Sequence, residues 1–324
     1  MIKQPAQPLR ILFFGAGSMA IPLAALLSHA GHRVSMYVRP GSIHRRPRII
    51  PFQIVATNSH LKKAIATPYQ PVYVDSLTNM SDFDYVLAPL PHTALAEALP
   101  LLKNIAETVP IVLIGNHWDD FALTDEALGE HYFYGFPHFG GSIDNGVWYG
   151  SLRTAFSLGE VNGQPSQRVN TLAAALTAAG LKPAIRSDMR DWFLAHFAFN
   201  AGMMGAAIQA RGLLEMMRSG EHARLAIRCM REGFEVVRAR GVDPDRFQSE
   251  TGIAKLPEFL SACLVRLLSH TAMIKMTAAH THAGSEEMCD YALRVLATGK
   301  ELGVTMPNLE STVSAIHEFQ KLKK

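Results

Sequence analysis

A short glycine-rich turn near the start of the chain carries the residues whose types and spacing most clearly suggest chemistry. The segment Gly15-Ala16-Gly17-Ser18-Met19-Ala20 follows an apolar run and opens into a helix-like stretch. Between a strand and a helix, Gly15 permits a tight turn, Gly17 lets the backbone approach a pyrophosphate, and Ala20 permits close packing. The free N–H groups of the helix start favour an anion. The motif therefore predicts that these residues bind a dinucleotide; a purely structural turn is the alternative.

The end of the next predicted strand indicates which dinucleotide. NAD-binding proteins of this type commonly place an acid there, where it bonds the ribose 2′-hydroxyl. Here the strand ends in Val38-Arg39-Pro40-Gly41, and no Asp or Glu occurs between His32 and His60. The guanidinium of Arg39 suits a 2′-phosphate instead, so the predicted cofactor is NADP(H). The arginines at 45, 46 and 48 either add to this site or form a solvated loop.

Motifs spread along the chain resemble those of one family of reductases. They are the glycine-rich turn, Arg39, Ile114-Gly115-Asn116, the loop Gly159-Glu160-Val161-Asn162-Gly163, and the tail from Ser285-Glu286-Glu287 to Gly303-Val304-Thr305-Met306-Pro307. On these residues the chain resembles the ketopantoate reductase family over nearly its whole length. The resemblance implies an N-terminal Rossmann domain, a C-terminal helical domain, and NADPH-dependent reduction of 2-dehydropantoate to pantoate, as in pantothenate biosynthesis.

The same resemblance implies roles for two residues. Asn116 matches an Asn that the family places near the nicotinamide. Glu287 matches a Glu that contacts the nicotinamide ribose and the substrate. One cofactor contact of the family is missing, because the segment after Ala88 reads Pro89-Leu90-Pro91-His92 and holds no Lys.

The catalytic lysine of the family is missing as well. It lies two residues after a Trp, and here Leu194 holds that position behind Trp192. Carbonyl reduction needs an acid that protonates the developing alkoxide, and leucine cannot act as one. His196, with Asn200 four residues later on the same helical face, is the first candidate, because a register shift of two residues would overlay this pair on the family's Lys and Asn. A hydrogen-bonded core histidine is the alternative.

Lys275 is the second candidate, and it stands where the family has a substrate-binding Ser. Its apolar flanks, in Met273-Ile274-Lys275-Met276, make a Lys unusual unless it snorkels or meets an anion. We expect Lys275 to hold a substrate carboxylate or, failing that, to serve as the acid; an exposed helical Lys is the alternative. His280 and His282, with His270 upstream, lack a carboxylate or cysteine cluster, so no metal site is predicted.

The elements that must position these residues divide the chain in two. The predicted strands are 10–14, 33–38, 53–56, 71–74, 84–88, 110–114 and 132–136, and they alternate with predicted helices, as in a doubly wound α/β sheet. Residues 132–158, rich in Gly and aromatic side chains, are predicted to add antiparallel strands at the sheet edge. From Met189 onward only helical patterns follow. We therefore predict a Rossmann-type NADP-binding domain over residues 1–187 and an all-helical substrate domain over 188–324.

Composition limits the classes of function. The 324 residues are 48% hydrophobic and 18% charged, which is ordinary for a globular protein. A net charge of +3 gives no indication of a nucleic-acid partner. Three cysteines without a C-x-x-C pair, and no apolar stretch of about 20 residues, favour a cytoplasmic protein with no membrane partner. The apolar C-terminal helices permit a homodimer.

Together these features favour an NADPH-dependent reductase of a small 2-oxo acid. In this hypothesis Asn116 and Glu287 position the cofactor and substrate, His196 with Asn200 donates the proton, and Lys275 holds the substrate carboxylate. Two alternatives stay open: a dehydrogenase of another hydroxy or imino acid, such as an opine-like product, and a non-catalytic NADP(H)-binding sensor.

Overall fold

The protein, described from a computed structural model, divides into two compact units. The structure describes residues 7–56, 59–272, 274–275, 278 and 285–322. The first unit comprises Met1–Gly115 and Asp119–Met189, and the second comprises Asn116–Trp118 and Arg190–Lys324. The short segment that begins with Asn116 therefore belongs to the second unit, although its chain neighbours on both sides belong to the first.

The first unit is built on an eight-stranded sheet in the order β11-β10-β7-β6-β5-β1-β2-β4. The strands are β1 Arg10–Phe14, β2 Arg33–Tyr37, β3 Phe52–Ala56, β4 Tyr73–Val74, β5 Tyr85–Pro89, β6 Ile111–Ile114, β7 Tyr132–Pro137, β8 Gly140–Asp144, β9 Val147–Leu152, β10 Ala155–Glu160 and β11 Lys182–Ile185. The six strands from β7 to β4 run parallel, whereas β10 pairs antiparallel with β7 and parallel with β11. The α/β fold class predicted from the alternating pattern is confirmed.

Five α-helices connect the strands within the described residues of this unit. They are α1 Ala20–His29, α2 Ser59–Ala64, α3 His92–Ala106, α4 Phe121–Leu128 and α5 Gln167–Ala178. The middle of β1 is fully buried, because a central parallel strand is covered on both faces. Eight consecutive residues of α1 are buried as well, so this helix is apolar all round and packs into the core of the unit.

Three strands are not part of the main sheet in which they were predicted. The strand expected at 53–56 and two of those expected at the sheet edge form a separate sheet in the order β3-β9-β8. There β3 runs parallel to β9, so that Phe52 lies opposite Trp148. Gly141 and Gly150 let the strands close around the Trp148 ring, since a Cβ on either would lie 2.5 Å from it. The paired strands are almost 100 residues apart in the chain, and a local sequence pattern does not predict a pairing over that distance.

The described residues of the second unit form helices and connecting loops, and no strand occurs among them. Its helices are α6 Met189–Gln209, whose first residue belongs to the first unit, α7 Leu213–Arg218, α8 Gly220–Ala239, α9 Gln248–Lys255, α10 Glu258–Leu268, α11 Ser285–Glu301, α12 Pro307–Ser311 and α13 Val313–Lys321. Gly202 of α6 lets α8 approach closely, because a Cβ there would lie 2.5 Å from the Met230 backbone nitrogen. Among the described helices, none combines the length and apolarity needed to cross a bilayer.

Candidate functional site

The glycine-rich turn of the first unit borders open space. Gly15 has a φ of +110°, in the region that favours glycine, and its N–H donates to the carbonyl of Tyr37 at 3.0 Å. A Cβ on Gly15 or on Gly17 would meet no atom within 4 Å. Packing against the protein therefore does not require a glycine at position 17, and the missing side chain leaves room for a ligand that approaches the backbone.

The start of α1 offers free hydrogen-bond donors. The helix begins at Ala20, no side chain caps its N-terminus, and its first turn holds no acidic residue. Uncapped N–H groups and the helix dipole together favour an anion at this position. The Trp148 indole donates to the Ser18 carbonyl at 2.6 Å and fixes the turn from β9. Trp148 was missed at the level of sequence, because it lies 130 residues downstream.

Arg39 lies beyond the end of β2, exposed to solvent. Its carbonyl accepts hydrogen bonds from the Ser42 N–H at 3.1 Å and the Ser42 hydroxyl at 2.6 Å, which hold the loop in place. In the part of the chain that the structure describes, the guanidinium groups of Arg39, Arg45, Arg46 and Arg48 make no ion pair. This loop therefore carries a positive charge that a phosphate could neutralise.

An acid does lie near the end of β2, but it comes from a different strand. Asp75 follows β4, which pairs in parallel with β2, and its carboxylate accepts a hydrogen bond from the Gly41 N–H at 3.3 Å. The sequence pattern missed it because Asp75 lies outside the interval between His32 and His60. The loop that carries Arg39 is thus bordered by one carboxylate.

In the second unit, Asn116 forms hydrogen bonds with two side chains of α11, Glu287 and Tyr291. Its Nδ2 donates to the Tyr291 hydroxyl at 2.5 Å and to Glu287 Oε1 at 3.3 Å, and Tyr291 donates to the same Oε1 at 2.9 Å. Burial, reinforced by the negative charge of Glu287, raises the pKa of Tyr291 well above its ordinary value. The phenol therefore stays protonated as a donor. Asn116 Oδ1 is buried and has no hydrogen-bond partner among the described residues.

Gly115 and Trp118, on either side of Asn116 in the chain, each make close contacts. A Cβ on Gly115 would lie 2.3 Å from the Leu90 carbonyl oxygen, so only glycine fits at the position before Asn116. The Trp118 indole donates to Thr298 Oγ1 at 2.8 Å, and Arg240 donates to the Trp118 carbonyl at 2.8 Å with its guanidinium 4.7 Å from the ring centroid. Tyr291 was not predicted, although it lies one helical turn after Glu287.

His196 lies in a second polar group, on α6. Its ring stacks on Trp192 with centroids 4.8 Å apart, and its Nδ1 lies 3.4 Å from Glu250 Oε1. Trp192 donates to the same Oε1 at 3.0 Å, and the Ser249 hydroxyl donates to the other oxygen. Burial acts to raise the pKa of Glu250, but the hydrogen bonds from His196 and Ser249 outweigh it and hold that pKa below its ordinary value. Glu250 was not predicted.

The other predicted site residues fall outside these two groups. Leu194 is buried, and since residues two apart lie on nearly opposite faces of a helix, it does not share the face of His196. Asn200 does share that face and is partly buried. Lys275 is exposed, in a helical stretch where its N–H donates to the Thr271 carbonyl at 3.1 Å.

No grouping of His, Cys, Asp or Glu suited to a metal occurs among the described residues. His280 and His282, the pair considered as ligands in principle, lie outside the described residues. His270, considered with them, is exposed to solvent.

Comparisons with known proteins show what this chain resembles in fold and, over part of its length, in sequence. No curated protein sequence matches the chain. D-mandelate dehydrogenase, solved in complex with NADH, is 13% identical with a TM-score of 0.73, covering 97% of this chain and all of that one. A PanE/ApbA family ketopantoate reductase from Ralstonia eutropha is 17% identical with a TM-score of 0.70, over 97% of this chain and 99% of that chain. A dimeric ketopantoate reductase from Staphylococcus aureus is 12% identical with a TM-score of 0.65, over 96% and 99%.

At these identities the structural neighbours show that the fold is shared over nearly the whole chain. The family is indicated by the sequence itself, because the model of the family described as ketopantoate reductase PanE/ApbA matches residues 11–160. This match confirms, over residues 11–160, the resemblance to the ketopantoate reductase family that the sequence motifs predicted.

Proposed function

We propose that the protein is an NADP(H)-dependent oxidoreductase, similar to 2-dehydropantoate 2-reductase, that reduces a small 2-oxo acid such as 2-dehydropantoate to the 2-hydroxy acid, or runs the reverse reaction. The observation that carries this proposal is the uncapped start of α1 behind an open glycine turn. Free N–H groups at a helix N-terminus, next to space that no side chain fills, suit the pyrophosphate of a dinucleotide. Gly15, Gly17, Ser18, Met19 and Ala20 are the proposed contacts.

Arg39 is the proposed determinant for the 2′-phosphate. A guanidinium without an ion pair gains a charge-assisted, bidentate partner when a phosphate binds. Asp75 would act against this preference for the 2′-phosphate. A carboxylate near the same loop repels a phosphate and suits a ribose hydroxyl. D-mandelate dehydrogenase has the same fold and was solved with NADH, so the fold by itself leaves the choice of nucleotide to such side chains.

Residues of the second unit would supply the chemistry on the substrate. A reduced nicotinamide supplies the hydride when it is bound. Asn116 and Glu287 would position cofactor and substrate, and the Asn116 Oδ1 acceptor has capacity for one further donor. His196, on the helical face it shares with Asn200, would donate a proton to the developing alkoxide. Exposed Lys275 would hold the substrate carboxylate.

A second candidate is a dehydrogenase of a different 2-hydroxy acid. Buried Leu194 at the position of the family's lysine favours it, since the acid must then come from elsewhere and the substrate contacts differ. D-mandelate dehydrogenase, which has the same fold, acts on a hydroxy acid that carries an aromatic ring. Oxidation of an imino acid and a non-catalytic sensor of NADP(H) are the further outcomes that the test must separate.

The test is a panel of 2-oxo acids in which the loss of reduced-nicotinamide absorbance is followed with NADPH and with NADH. It includes 2-dehydropantoate, an aromatic 2-oxo acid, and 2-oxo acids with and without an added amine. Turnover on any unaminated member supports the reductase, and its identity selects between the two candidates. Turnover only with amine identifies an opine-like reaction. If calorimetry shows that the protein binds NADPH but no substrate is turned over, the oxidoreductase proposal is overturned and the non-catalytic sensor is the hypothesis that remains.

We also propose that the protein is a cytoplasmic homodimer. The three cysteines lie among the described residues and form no disulfide with one another, which fits a reducing compartment. Helix α10 exposes a row of large apolar side chains, at 259, 260, 264, 267 and 268, and the related S. aureus reductase is described as dimeric. Light scattering after gel filtration should give twice the mass of one chain, and Leu267→Asp should halve it while Leu123→Asp, an exposed leucine on α4, should not.

A further inference from the structure

Glu250, whose carboxylate contacts His196, is not part of any motif on which the family resemblance rests. Glu250 belongs to α9, its residue is only 4% exposed, and the structure pairs it with no Lys or Arg among the described residues. A buried carboxylate needs hydrogen bonds or an opposite charge, and Glu250 has three donors: the Trp192 indole, the Ser249 hydroxyl and the His196 imidazole.

Trp192 and Glu250 both contact the imidazole of His196. Trp192 covers one face of the ring, at an interplanar angle of 21°. Glu250 lies at the Nδ1 edge, 3.4 Å away. A carboxylate accepts hydrogen bonds and cannot donate one when ionised, so the hydrogen at that edge belongs to Nδ1. The other ring nitrogen, Nε2, lies at the opposite edge of the imidazole and does not carry the hydrogen in this neutral tautomer.

The carboxylate itself is also held. Ser249 donates to one oxygen and Trp192 to the other, so Glu250 cannot turn away without breaking both hydrogen bonds. The lowered pKa of Glu250 keeps it ionised at neutral pH, as an acceptor for Nδ1–H requires. The His196 side chain is 18% exposed, so solvent protons reach the ring although Glu250 is buried.

We propose that Glu250 is the positioning residue of His196: it holds Nδ1–H, and thereby makes Nε2 the atom that delivers the proton to the substrate alkoxide. This inference rests on the function proposed above. In reduction, the hydride forms the new C–H bond at the carbonyl carbon, and the carbonyl oxygen takes the Nε2 proton of doubly protonated His196. The neutral Nδ1–H tautomer remains and regains a proton from solvent. In oxidation, Nε2 accepts the hydroxyl proton.

The first test needs no turnover. In protein labelled with ¹⁵N-histidine, the His196 signals are assigned by their loss in His196→Gln. The neutral wild-type ring should be the Nδ1–H tautomer, and Glu250→Ala should shift the ring toward the Nε2–H tautomer. Glu258→Ala is the matched control, because Glu258 is a carboxylate of the same unit that bonds Arg228. An Nε2–H tautomer in the wild-type protein would overturn the proposal, as would a tautomer that Glu250→Ala leaves unchanged.

The second test uses a substrate found with the 2-oxo acid panel. Glu250→Ala should lower kcat about 100-fold while KM and NADPH affinity stay within about twofold, as expected for loss of an orienting group. Glu250→Asp should recover part of the rate, and melting curves identify any variant that fails to fold. Full kcat in folded Glu250→Ala would overturn the positioning role. The Nδ1–H tautomer in a wild-type protein that turns over no substrate would instead overturn the proposed function, and with it proton delivery by Nε2, while the orientation of His196 by Glu250 would stand.

Discussion

The proposed nucleotide-binding edge of the first unit consists of the start of α1 and the Arg39 loop. It differs from the two polar groups of the second unit in how many of its hydrogen-bonding and charged groups are already paired within the protein. At the edge, the start of α1 has no cap and the Arg39 loop makes no ion pair among the described residues. In the second unit, side chains already bond one another: Asn116 with Glu287 and Tyr291, and His196 with Glu250. The first region offers donors to an incoming anion, whereas the second holds its chemical groups in fixed orientations before any ligand arrives.

This difference makes the two regions respond differently to substitution. A change at the nucleotide edge should alter affinity and leave the fold intact, because few internal contacts are lost. A change inside the polar groups should alter the rate and, where a charge is buried, the stability. The predictions below follow this contrast from the largest expected effect to the smallest.

Substitution of the proposed donor should have the largest effect. His196→Gln should lower kcat by roughly 10²- to 10⁴-fold, because general acid catalysis contributes about that much. NADPH affinity, measured by calorimetry, should not change. His317→Gln, at an exposed histidine of α13, is the control and should keep full activity. If His196→Gln turns over at the wild-type rate, another group is the acid and the orientation seen in the second unit serves structure only.

Removal of the strand-end guanidinium should come next. Arg39→Ala should weaken NADPH binding about 10- to 100-fold, as loss of a charge-assisted hydrogen bond implies, and should leave NADH binding unchanged. Arg33→Ala, at the opposite end of the same strand, should affect neither nucleotide. Equal losses for NADPH and NADH in Arg39→Ala would mean that Arg39 does not contact the 2′-phosphate.

Loss of the buried carboxylate should destabilise the protein in a pH-dependent way. Glu250→Gln should lower the free energy of unfolding at neutral pH by about 1–3 kcal/mol, because it leaves buried donors poorly paired. Hydrogen bonds hold the folded-state pKa of Glu250 below its ordinary value of 4.5, so its stabilising contribution is present above that value. The difference between the two proteins should therefore shrink as the pH falls through the folded-state pKa in denaturant titrations. A difference that does not depend on pH would contradict an ionised Glu250.

The smallest effect is expected at the carboxylate beside the Arg39 loop. Asp75→Asn should raise NADPH affinity and lower NADH affinity, each by only a few-fold, because the group is partly exposed and its charge is screened. The ratio of the two dissociation constants is the quantity to measure. A ratio that does not change would remove Asp75 from nucleotide selection and leave Arg39 as the proposed determinant.

The same contrast explains what the sequence could predict. The glycine turn is six consecutive residues between a strand and a helix, so local rules place it, and the alternation of strands and helices predicts the parallel sheet. Glu250 meets His196 from 54 residues away, and Glu287 meets Asn116 from 171 residues away. Trp148 and Asp75 reach the nucleotide edge from other strands in the same manner. Side chains that meet only through tertiary packing have no fixed separation in sequence, so no sequence motif predicts their contact.

The prediction of the catalytic residue was limited further because the sequence does not show which face of a helix is buried. Leu194 and His196 are two residues apart, so they occupy nearly opposite faces, and only the structure separates the buried position from the partly exposed one. The second sheet was missed for a similar reason, since β3 pairs with a strand far along the chain.

Transfer of deuterium tests the central claim most directly. NADPH that carries deuterium at the transferable position of nicotinamide C4 is incubated with the protein and the best 2-oxo acid from the panel, and the product is analysed by mass spectrometry. The account predicts one deuterium at C2 of the 2-hydroxy acid, and none when the deuterium is placed on the opposite face of the nicotinamide ring. A product without deuterium from either labelled cofactor, or no product from any 2-oxo acid, would contradict it.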